Sequence, residues 1–373
     1  EPSFPGPMVV GPQTSRLRAP DMPLIDGAVD WCNNCKLCDV ACPSGVQVSH
    51  LSTLARAAYA SRGGRRLRDR LLARADQLGR WSGRIAPLAN VGMNSRPARW
   101  LLEKCLAVDR RRPLPRYASR TFRRWYARQP VRAREAKVAY FVGCSADQNE
   151  PEVARAVVNV LERNGFQVIV PPQACCGLPL IANGDLEGAR RYARRNLDLL
   201  RDVVEQGLPI VTSSTSCGLT LRSEYESVLG LAEARQLAGL VFDVCEFLLM
   251  LHDDGRLDAG FRSVPIDLPY HTPCHLRALA IGLPAVELLR LVPDLRTHIL
   301  DSGCCGIAGT YGYKAEKYRL SMSVGARLFS AIAESGADLV ASDCETCRWQ
   351  IEHGAGVQAV HPIRILEQAY GLP

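Results

Sequence analysis

Thirteen of the fifteen cysteines in this 373-residue chain fall into groups with spacings that suit metal ligation. A long chain with a sizeable apolar core has little need of disulfides, and clustered thiols in such a chain are typical of metal sites in a reducing compartment. The first group lies in WCNNCKLCDVACPSG, with the spacing C-x2-C-x2-C-x3-C-P. Two-residue gaps let successive thiolates from one tight loop reach one iron–sulfur cluster, and the alternatives are a disulfide or zinc. The candidate ligands are Cys32, Cys35, Cys38 and Cys42.

The fourth cysteine of this run raises the question of a second cluster. In two-cluster ferredoxins the equivalent cysteine binds the other cluster. Cys32, Cys35 and Cys38 would then share one cluster with a ligand from elsewhere, and Cys42 would belong to another. Either one cluster takes all four thiolates, or a partner run precedes Glu1. Because the sequence starts at Glu1 rather than at a Met, we expect the second arrangement.

The other nine cysteines mark two copies of one unit. Equivalent cysteines are offset by 129 or 130 residues, which indicates a duplicated domain. The first copy contains Cys144, Cys175, Cys176 and Cys217. The second copy contains Cys274, Cys304, Cys305, Cys344 and Cys347.

Each copy has short apolar segments that alternate with helical patterns, which predicts a parallel α/β sheet. We expect a helix over 151–163 and another that carries Ala189, Ala193 and Leu197 on one face. Every cysteine group follows a predicted strand, at the sheet edge where open α/β sheets bind ligands. Gly177 and Gly306 are expected to permit close backbone approach beside the paired cysteines. The predicted strands are KVAYFVG, FQVIV and PIVTS in the first copy and DLPYHTP, THIL and DLVAS in the second.

The two copies differ in one ligand position. The second has Cys344-Glu345-Thr346-Cys347, where the first has Ser214-Thr215-Ser216-Cys217. A hydroxyl is a poor iron ligand, so the first site has four cysteines and the second has five. Our hypothesis is that the two sites hold different cluster forms or potentials, because the ligand set and charge tune the potential.

Three histidines stand near these groups. His271 and His275 flank Cys274, and His361 follows the last predicted strand. Each would either hydrogen-bond cluster sulfurs and assist proton-coupled transfer, or have a plain structural role. Cys105 lies outside the groups, and we interpret it as a small apolar core residue.

The charge is unevenly distributed along the chain. Residues 1–137 contain 26 basic and 10 acidic residues, and the remainder contains 20 basic and 28 acidic residues. The arginine-rich segment 62–135 also contains Tyr117, Trp125 and Tyr126, which would suit an anionic membrane surface or contact with another protein of a complex. The alternative is a surface helix hairpin packed on the next domain. No nucleic-acid-binding motif accompanies it, so we do not expect nucleic acid as a partner. The sequence has no run of 18 uninterrupted apolar residues, so we do not expect a membrane-spanning helix.

The repeated unit resembles the cysteine-rich "CCG" domain of the heterodisulfide reductase B subunit and of iron–sulfur subunits of glycolate, lactate and glycerol-3-phosphate oxidising enzymes. Within that group the chain is similar to the family of C subunits of anaerobic glycerol-3-phosphate dehydrogenases. That resemblance covers essentially the whole chain, and that family has a further ferredoxin-type run upstream. The stretches that match are SFPGP, WCNNCKLCDVACPSGV, DRRRPLPRYASRTFRRWY, CCGLPLIANG, YHTPCH, DSGCCGIAGTYG and ADLVASDCETCRWQIE.

The resemblance implies an N-terminal helical, ferredoxin-like [4Fe-4S] domain (1–60), a basic helical linker (61–135) and two α/β CCG domains (136–255 and 256–373). It implies a non-cubane [4Fe-4S] cluster at the five-cysteine site and leaves the cluster type at the four-cysteine site open. The implied function is electron relay at the cytoplasmic face of the cell membrane. A flavin subunit would oxidise sn-glycerol 3-phosphate, and this chain would pass the electrons to menaquinone or another quinone. The alternatives are a component of a lactate or glycolate oxidising complex, an enzyme that reduces disulfides at the five-cysteine cluster, or a structural zinc protein.

Overall fold

The computed structural model describes residues 31–63, 66–130 and 132–372. The first half of the predicted ferredoxin-like domain, with its SFPGP stretch, lies outside the described residues, as do residues 64, 65 and 131 of the basic segment.

Each repeat is built on a four-stranded parallel sheet. The strands are β1 (Lys137–Tyr140), β2 (Gln167–Ile169), β3 (Ile210–Thr212), β4 (Val241–Asp243), β5 (Asp267–Tyr270), β6 (Arg296–Ile299), β7 (Leu339–Ala341) and β8 (Gln358–Val360). Their orders are β2-β1-β3-β4 and β6-β5-β7-β8. This confirms the prediction of two duplicated α/β domains with parallel sheets. Three strands per repeat are those predicted, whereas β4 and β8 were not expected from the sequence.

The helices connect these strands and form the N-terminal region. They are α1 (Leu37–Ala41), α2 (Val48–Gly63), α3 (Leu67–Leu72), α4 (Ala75–Ser82), α5 (Ala86–Asn94), α6 (Arg96–Leu106), α7 (Phe122–Tyr126), α8 (Cys144–Gln148), α9 (Pro151–Arg163), α10 (Leu178–Ala182), α11 (Leu186–Leu199), α12 (Arg201–Glu205), α13 (Thr215–Leu219), α14 (Tyr225–Ser227), α15 (Ala234–Ala238), α16 (Val244–Asp253), α17 (Cys274–Leu279), α18 (Pro284–Leu289), α19 (Tyr318–Ser335), α20 (Glu345–Gly354) and α21 (Pro362–Ala369).

Local sequence explains where the main helices begin. Pro151 occupies the first turn of α9, where a missing N–H costs nothing. Asp185 accepts the Gly188 N–H at the start of α11. Asp243 and Glu246 form a capping box at the start of α16. These signals fix the helix entries close to the strand ends, where the cysteines lie.

The two repeats share one hydrophobic core. Buried residues of β1 and α9 belong to the same cluster as those of β5, α18 and α21. Helix α9 of the first repeat corresponds to α18 of the second, and α16 corresponds to α21. Because α9 packs against α21 and α16 packs against α18, the same contact occurs twice with the two repeats exchanged. Such paired contacts are those of a twofold arrangement, and they bring the two sheet edges together.

Buried arginines attach the basic segment to the second repeat. Arg68 is 4% exposed and forms two 2.8 Å hydrogen bonds with the carboxylate of Glu316. Arg112 is 1% exposed and donates to Ser321 Oγ at 3.1 Å and to the Gly312 carbonyl at 3.2 Å. A large part of the basic charge therefore has a packing role that composition did not reveal. Cys105 is exposed, so its interpretation as a core residue was wrong, because its position on α6 faces solvent.

Candidate functional site: three cysteine groups at facing sheet edges

The five cysteines of the second repeat meet beyond the carboxyl ends of its strands. Cys274 begins α17 after β5, Cys304 and Cys305 follow β6, and Cys344 precedes α20 with Cys347 in its first turn. The Sγ atoms of Cys305 and Cys347 are 3.2 Å apart. Side-chain contacts link the thiols in the order Cys274, Cys304, Cys305, Cys347 and Cys344. The prediction that three separated sequence groups converge is confirmed at this edge.

The four cysteines of the first repeat form an equivalent group. Side-chain contacts link Cys144 to Cys175, Cys175 to Cys176, and Cys176 to Cys217. The Sγ atoms of Cys176 and Cys217 are 3.5 Å apart. Ser214, at the position of the missing fifth cysteine, accepts a hydrogen bond from the Cys217 N–H at 3.4 Å.

The two glycines beside the paired cysteines are required for different reasons. Gly306 has φ +90°, and a Cβ there would lie 2.1 Å from the carbonyl oxygen of Ser321 in α19. Gly177 has φ +91°, but a Cβ there would be 3.7 Å from its nearest neighbour, in Ala189. Close approach therefore explains Gly306, whereas backbone conformation alone explains Gly177.

The thiol chemistry of the second site suits a bound cation. Hydrogen bonding, first from Cys274 and then from Cys305, holds the pKa of Cys304 well below its usual value. A hydrogen bond from Cys347 lowers the pKa of Cys344 to about 6. Contact with Cys304 and burial raise the pKa of Cys274. Five thiolates in contact would repel each other, and a metal centre both neutralises that charge and deprotonates the remaining thiols.

The first site differs in its electrostatics. Hydrogen bonding to Cys175 and burial raise the pKa of Cys144 well above its usual value. Hydrogen bonds to Cys176 and Cys217, followed by burial, raise the pKa values of Cys175 and Cys176, and burial and the charge of Glu345 raise that of Cys217 despite its hydrogen bond to Cys176. In contrast to the second site, each thiol here favours its protonated form. A cation would have to supply the driving force for all four deprotonations.

The N-terminal run lies against the second site. Burial and the charge of Cys304 raise the pKa of Cys35 to about 12, and the charge of Cys35 also acts on Cys274. His275 Nε2 donates to the Asn34 carbonyl at 3.2 Å. Helix α1, which follows Cys35, packs against α17, which begins at Cys274. Two cysteine groups separated by about 240 residues are therefore neighbours.

The other three cysteines of the N-terminal run, Cys32, Cys38 and Cys42, have different surroundings. Burial, followed by the charge of Asp39, raises the pKa of Cys38 to about 11. Cys42 Sγ accepts the Val46 N–H at 3.4 Å. Cys32 borders a cleft whose polar lining residues are Asn33, Arg56, Asn183, Thr310, Lys314 and Lys317.

The three histidines take different positions. His271 is fully buried, its Nδ1 is 2.9 Å from Ser302 Oγ, and its Nε2 has no hydrogen-bond partner among the described residues. A ring nitrogen of His271 and the Sγ atoms of Cys305 and Cys347 all lie within 4.8 Å of one another. Burial lowers the pKa of His271 to about 4, so the ring is neutral near pH 7; in the tautomer protonated at Nε2, Nδ1 accepts from Ser302 and the Nε2–H is left for a sulfur acceptor.

His275 and His361 bind protein groups. His275 Nδ1 accepts from Ser216 Oγ at 2.9 Å, while its Nε2 contacts the N-terminal run. His361 caps α21, accepting the Ile363 N–H at 3.1 Å and facing the Ser213 carbonyl at 3.1 Å. Both nitrogens of His361 are thus engaged with the backbone, which is the structural role left open by the sequence.

Two groups near the sites had no signal in the sequence. Cys245 is fully buried beside the carboxylates of Asp243 and Asp343, with ligand atoms within 4.8 Å of one another. Glu345 extends from α20 toward the first repeat, where Ser214 Oγ donates to its carboxylate at 3.2 Å. Neither contact follows a spacing rule, because both join residues of different repeats.

Comparison with known proteins agrees with this architecture. The cysteine-rich domain family, CCG, matches residues 138–222 and 268–352, one segment in each repeat. The chain is 41% identical over 374 residues to the C subunit of anaerobic glycerol-3-phosphate dehydrogenase from Escherichia coli, covering 99% of this chain and 93% of that protein. The chain belongs to the family of these C subunits.

More distant relatives share the repeated region. The chain is 30% identical over 246 residues to the B subunit of fumarate reductase (CoM/CoB) from Methanothermobacter marburgensis, covering 63% of this chain and 47% of that protein. It is 31% identical over 245 residues to lactate utilization protein A of Macrococcus caseolyticus, covering 62% of this chain and 96% of that protein. The CCG domains and these relatives support iron–sulfur clusters in this chain. No helix in the described part of the chain is long and apolar enough to cross a membrane.

Proposed function

We propose that the thirteen grouped cysteines bind [4Fe-4S] clusters. The N-terminal run would hold a cubane cluster through Cys32, Cys35 and Cys38, with Cys42 as a ligand of a second cluster. The five-cysteine site would hold a non-cubane cluster. The four-cysteine site would hold a cluster of a different ligand set. Each cluster would supply one-electron redox chemistry, and the protein would supply thiolate ligands, burial and hydrogen bonds that tune the potential.

The function that these groups support best is electron relay in an anaerobic sn-glycerol-3-phosphate dehydrogenase complex. Electrons would arrive from a flavin-containing catalytic subunit and leave to menaquinone or another quinone. The observation that carries this proposal is the docking of the N-terminal run on the second site, where α1 packs against α17 and Asn34 contacts His275, because adjacent ligands place two redox centres next to each other. The 41% identity over nearly the whole chain favours this complex over a lactate or glycolate oxidising one.

An anaerobic iron and sulfide count, paired with an EPR-monitored redox titration, tests the relay. We expect at least three clusters with separated potentials. Cys35→Ser, Cys144→Ser and Cys344→Ser should each change a different signal, whereas Cys105→Ser, at an exposed cysteine outside the groups, should change none. A protein with little iron, or with zinc instead, would contradict the proposal.

The basic region, residues 61–135, is proposed to contact the anionic cytoplasmic face of the cell membrane. Its helices α4 to α6 expose large apolar side chains beside basic ones: Trp81 is 70% exposed, Leu88 75% and Trp100 50%. Arg80 and Lys104 on the same helices are exposed. Apolar side chains that enter the headgroup region together with cations that bind anionic lipid are typical of peripheral membrane proteins.

Cosedimentation with lipid vesicles tests the membrane contact. Vesicles that contain anionic lipid should retain the protein, and neutral vesicles should retain less. The variant W81A/L88A should bind several-fold more weakly, while Ile299→Ala, which removes an exposed apolar side chain of β6, should bind normally. Equal binding of all three proteins would exclude this surface.

A further inference from the structure

The first cysteine site lacks a fifth thiolate, and a carboxyl side chain contacts the serine at that position. Ser214 occupies the position that Cys344 has in the second repeat. Its Oγ donates to the two carboxylate oxygens of Glu345 at 3.2 and 3.4 Å. Glu345 belongs to the second repeat, so its side chain crosses from one repeat to the other.

Ser214, which contacts this carboxylate, is itself packed beside the thiols of the first site. Ser214 Oγ accepts the Cys217 N–H at 3.4 Å. A Cβ at Gly143, the residue before Cys144, would lie 3.5 Å from Ser214 Cβ and 3.6 Å from Cys217 Sγ. Ser214 is therefore packed between two of the four cysteine positions. The charge of Glu345 also acts on the thiols of both Cys144 and Cys217.

We propose that Glu345 is the fifth ligand of the first site, supplied across the domain boundary, with Ser214 holding its carboxylate in place. This inference rests on the proposed cluster at Cys144, Cys175, Cys176 and Cys217. Four thiolates and one carboxylate give the same number of anionic donors as the five thiolates of the second site. A carboxylate is a harder donor than a thiolate, so the two clusters differ in potential while each has a full ligand set.

The position of Glu345 in the sequence links the two sites directly. It lies between Cys344 and Cys347, which are ligands proposed for the second cluster. One short segment, 344–347, would then bind both clusters. The equivalent residue of the first repeat, Thr215, offers no anionic donor in return. The link therefore runs in one direction, from the second repeat to the first.

Electron-nuclear double resonance on the full chain, labelled with ¹³C at glutamate carboxyl carbons, tests the ligation. The first-site signal is assigned by its change in Cys144→Ser. We expect a ¹³C coupling on that signal in the unsubstituted protein and in Glu352→Gln, a matched exposed carboxylate on the same helix. The coupling should vanish in Glu345→Gln, whose amide keeps the hydrogen bond to Ser214 but is a poor iron ligand. A coupling that is absent from the unsubstituted protein, or that persists in Glu345→Gln, overturns the proposal.

A rescue experiment separates ligation from folding. Glu345→Gln should change the potential of the first-site signal while the signals of the second site and the N-terminal run stay unchanged. Adding Ser214→Cys, which copies the second repeat, should supply a fifth thiolate and shift the first-site potential and spectrum toward those of the second-site signal. If Glu345→Gln has the same first-site potential and spectrum as the unsubstituted protein, Glu345 is not a ligand. If Cys144→Ser loses no iron, the first site holds no cluster. That result would contradict the proposed function at this site as well as the role of Glu345.

Discussion

The buried ion pair between Lys36 and Glu224 is expected to hold the N-terminal run in place. Lys36 Nζ is 2.5 Å from Glu224 Oε1, and their side chains are only 12% and 1% exposed. Lys36 Nζ also donates to Ser49 Oγ at 3.3 Å, at the start of α2. Lys36 immediately follows Cys35, and Glu224 belongs to the first repeat, so the pair connects the cysteine run to that repeat.

Lys36→Met would leave the carboxylate of Glu224 buried without its cation. Removing one partner of a buried pair costs about 3–5 kcal/mol, because the remaining charge keeps its desolvation penalty. At about 1.4 kcal/mol per tenfold change, the opening equilibrium of the run should rise by roughly two to nearly four powers of ten. The double variant K36M/E224Q removes both charges and should recover most of this loss.

Hydrogen–deuterium exchange of the native protein measures this local opening. The informative amides are those of Val40, which donates to the Lys36 carbonyl at 3.1 Å, and Ser49, which donates to Asp39 Oδ1 at 2.9 Å. The control is Arg235→Met, which breaks the exposed pair with Glu226. It should change local exchange by no more than a few-fold, because water and salt screen exposed pairs.

Two results would refute this reasoning. If Lys36→Met changes exchange at Val40 and Ser49 no more than Arg235→Met changes it around residue 235, the buried pair does not anchor the run. If K36M/E224Q exchanges as fast as Lys36→Met alone, the loss does not come from an unpaired Glu224.

Three further predictions concern the sites and their supports. Gly306→Ala should abolish the second-site EPR signal because a Cβ meets the Ser321 carbonyl. Gly177→Ala should keep the first-site signal and lower the free energy of unfolding by only about 1–2 kcal/mol, because its backbone is left-handed. Equal effects of the two variants would contradict this. Burial and the neighbouring Asp343 raise the pKa of Asp243, so this group lowers stability progressively as pH rises above about 4. Asp243→Asn keeps the cap on the Cys245 N–H and should raise the free energy of unfolding by about 1–3 kcal/mol at pH 7 but not at pH 3. Denaturant titration at both pH values measures this. A gain that does not depend on pH would argue against buried charge as the cause. His271→Phe copies Phe141 at the equivalent position and should lower the reduction potential of the second-site signal by removing an N–H that faces sulfur; an unchanged potential would mean that no such bond forms.

The sequence alone predicted the repeat and the convergence of its cysteines. This succeeded because a parallel strand places the residues that follow it at one sheet edge, whatever the rest of the fold does. The helix predicted over 151–163 is observed as Pro151–Arg163, because its apolar period and its proline both act locally. Strands β4 and β8 are as short as β2, β3 and β7, which were predicted, but they were missed because neither leads into one of the repeated cysteine groups that marked the other strand ends.

The arginines of the linker show where composition misleads. Arg68, Arg99 and Arg112 looked like surface charge in a basic segment, yet all are at most 6% exposed. A charged side chain can be buried once its donors are matched, and those acceptors lie up to about 250 residues away in the chain. Cys105 shows the opposite case, because it was predicted to be a core residue and is exposed. Its surroundings depend on how α6 packs against the rest of the protein.

The sequence by itself determined which residues are available for clusters, because thiolate spacing and strand ends are local properties. Only the tertiary structure decided which groups are neighbours. The twofold packing of α9 on α21 and of α16 on α18 sets the two sheet edges against each other, and this places Glu345 beside Ser214. The docking of α1 on α17 places Cys35 beside Cys304. Apart from the packing of α16 on α18, these contacts join residues more than 100 positions apart, and all of them depend on the packing of whole domains, which no local spacing encodes.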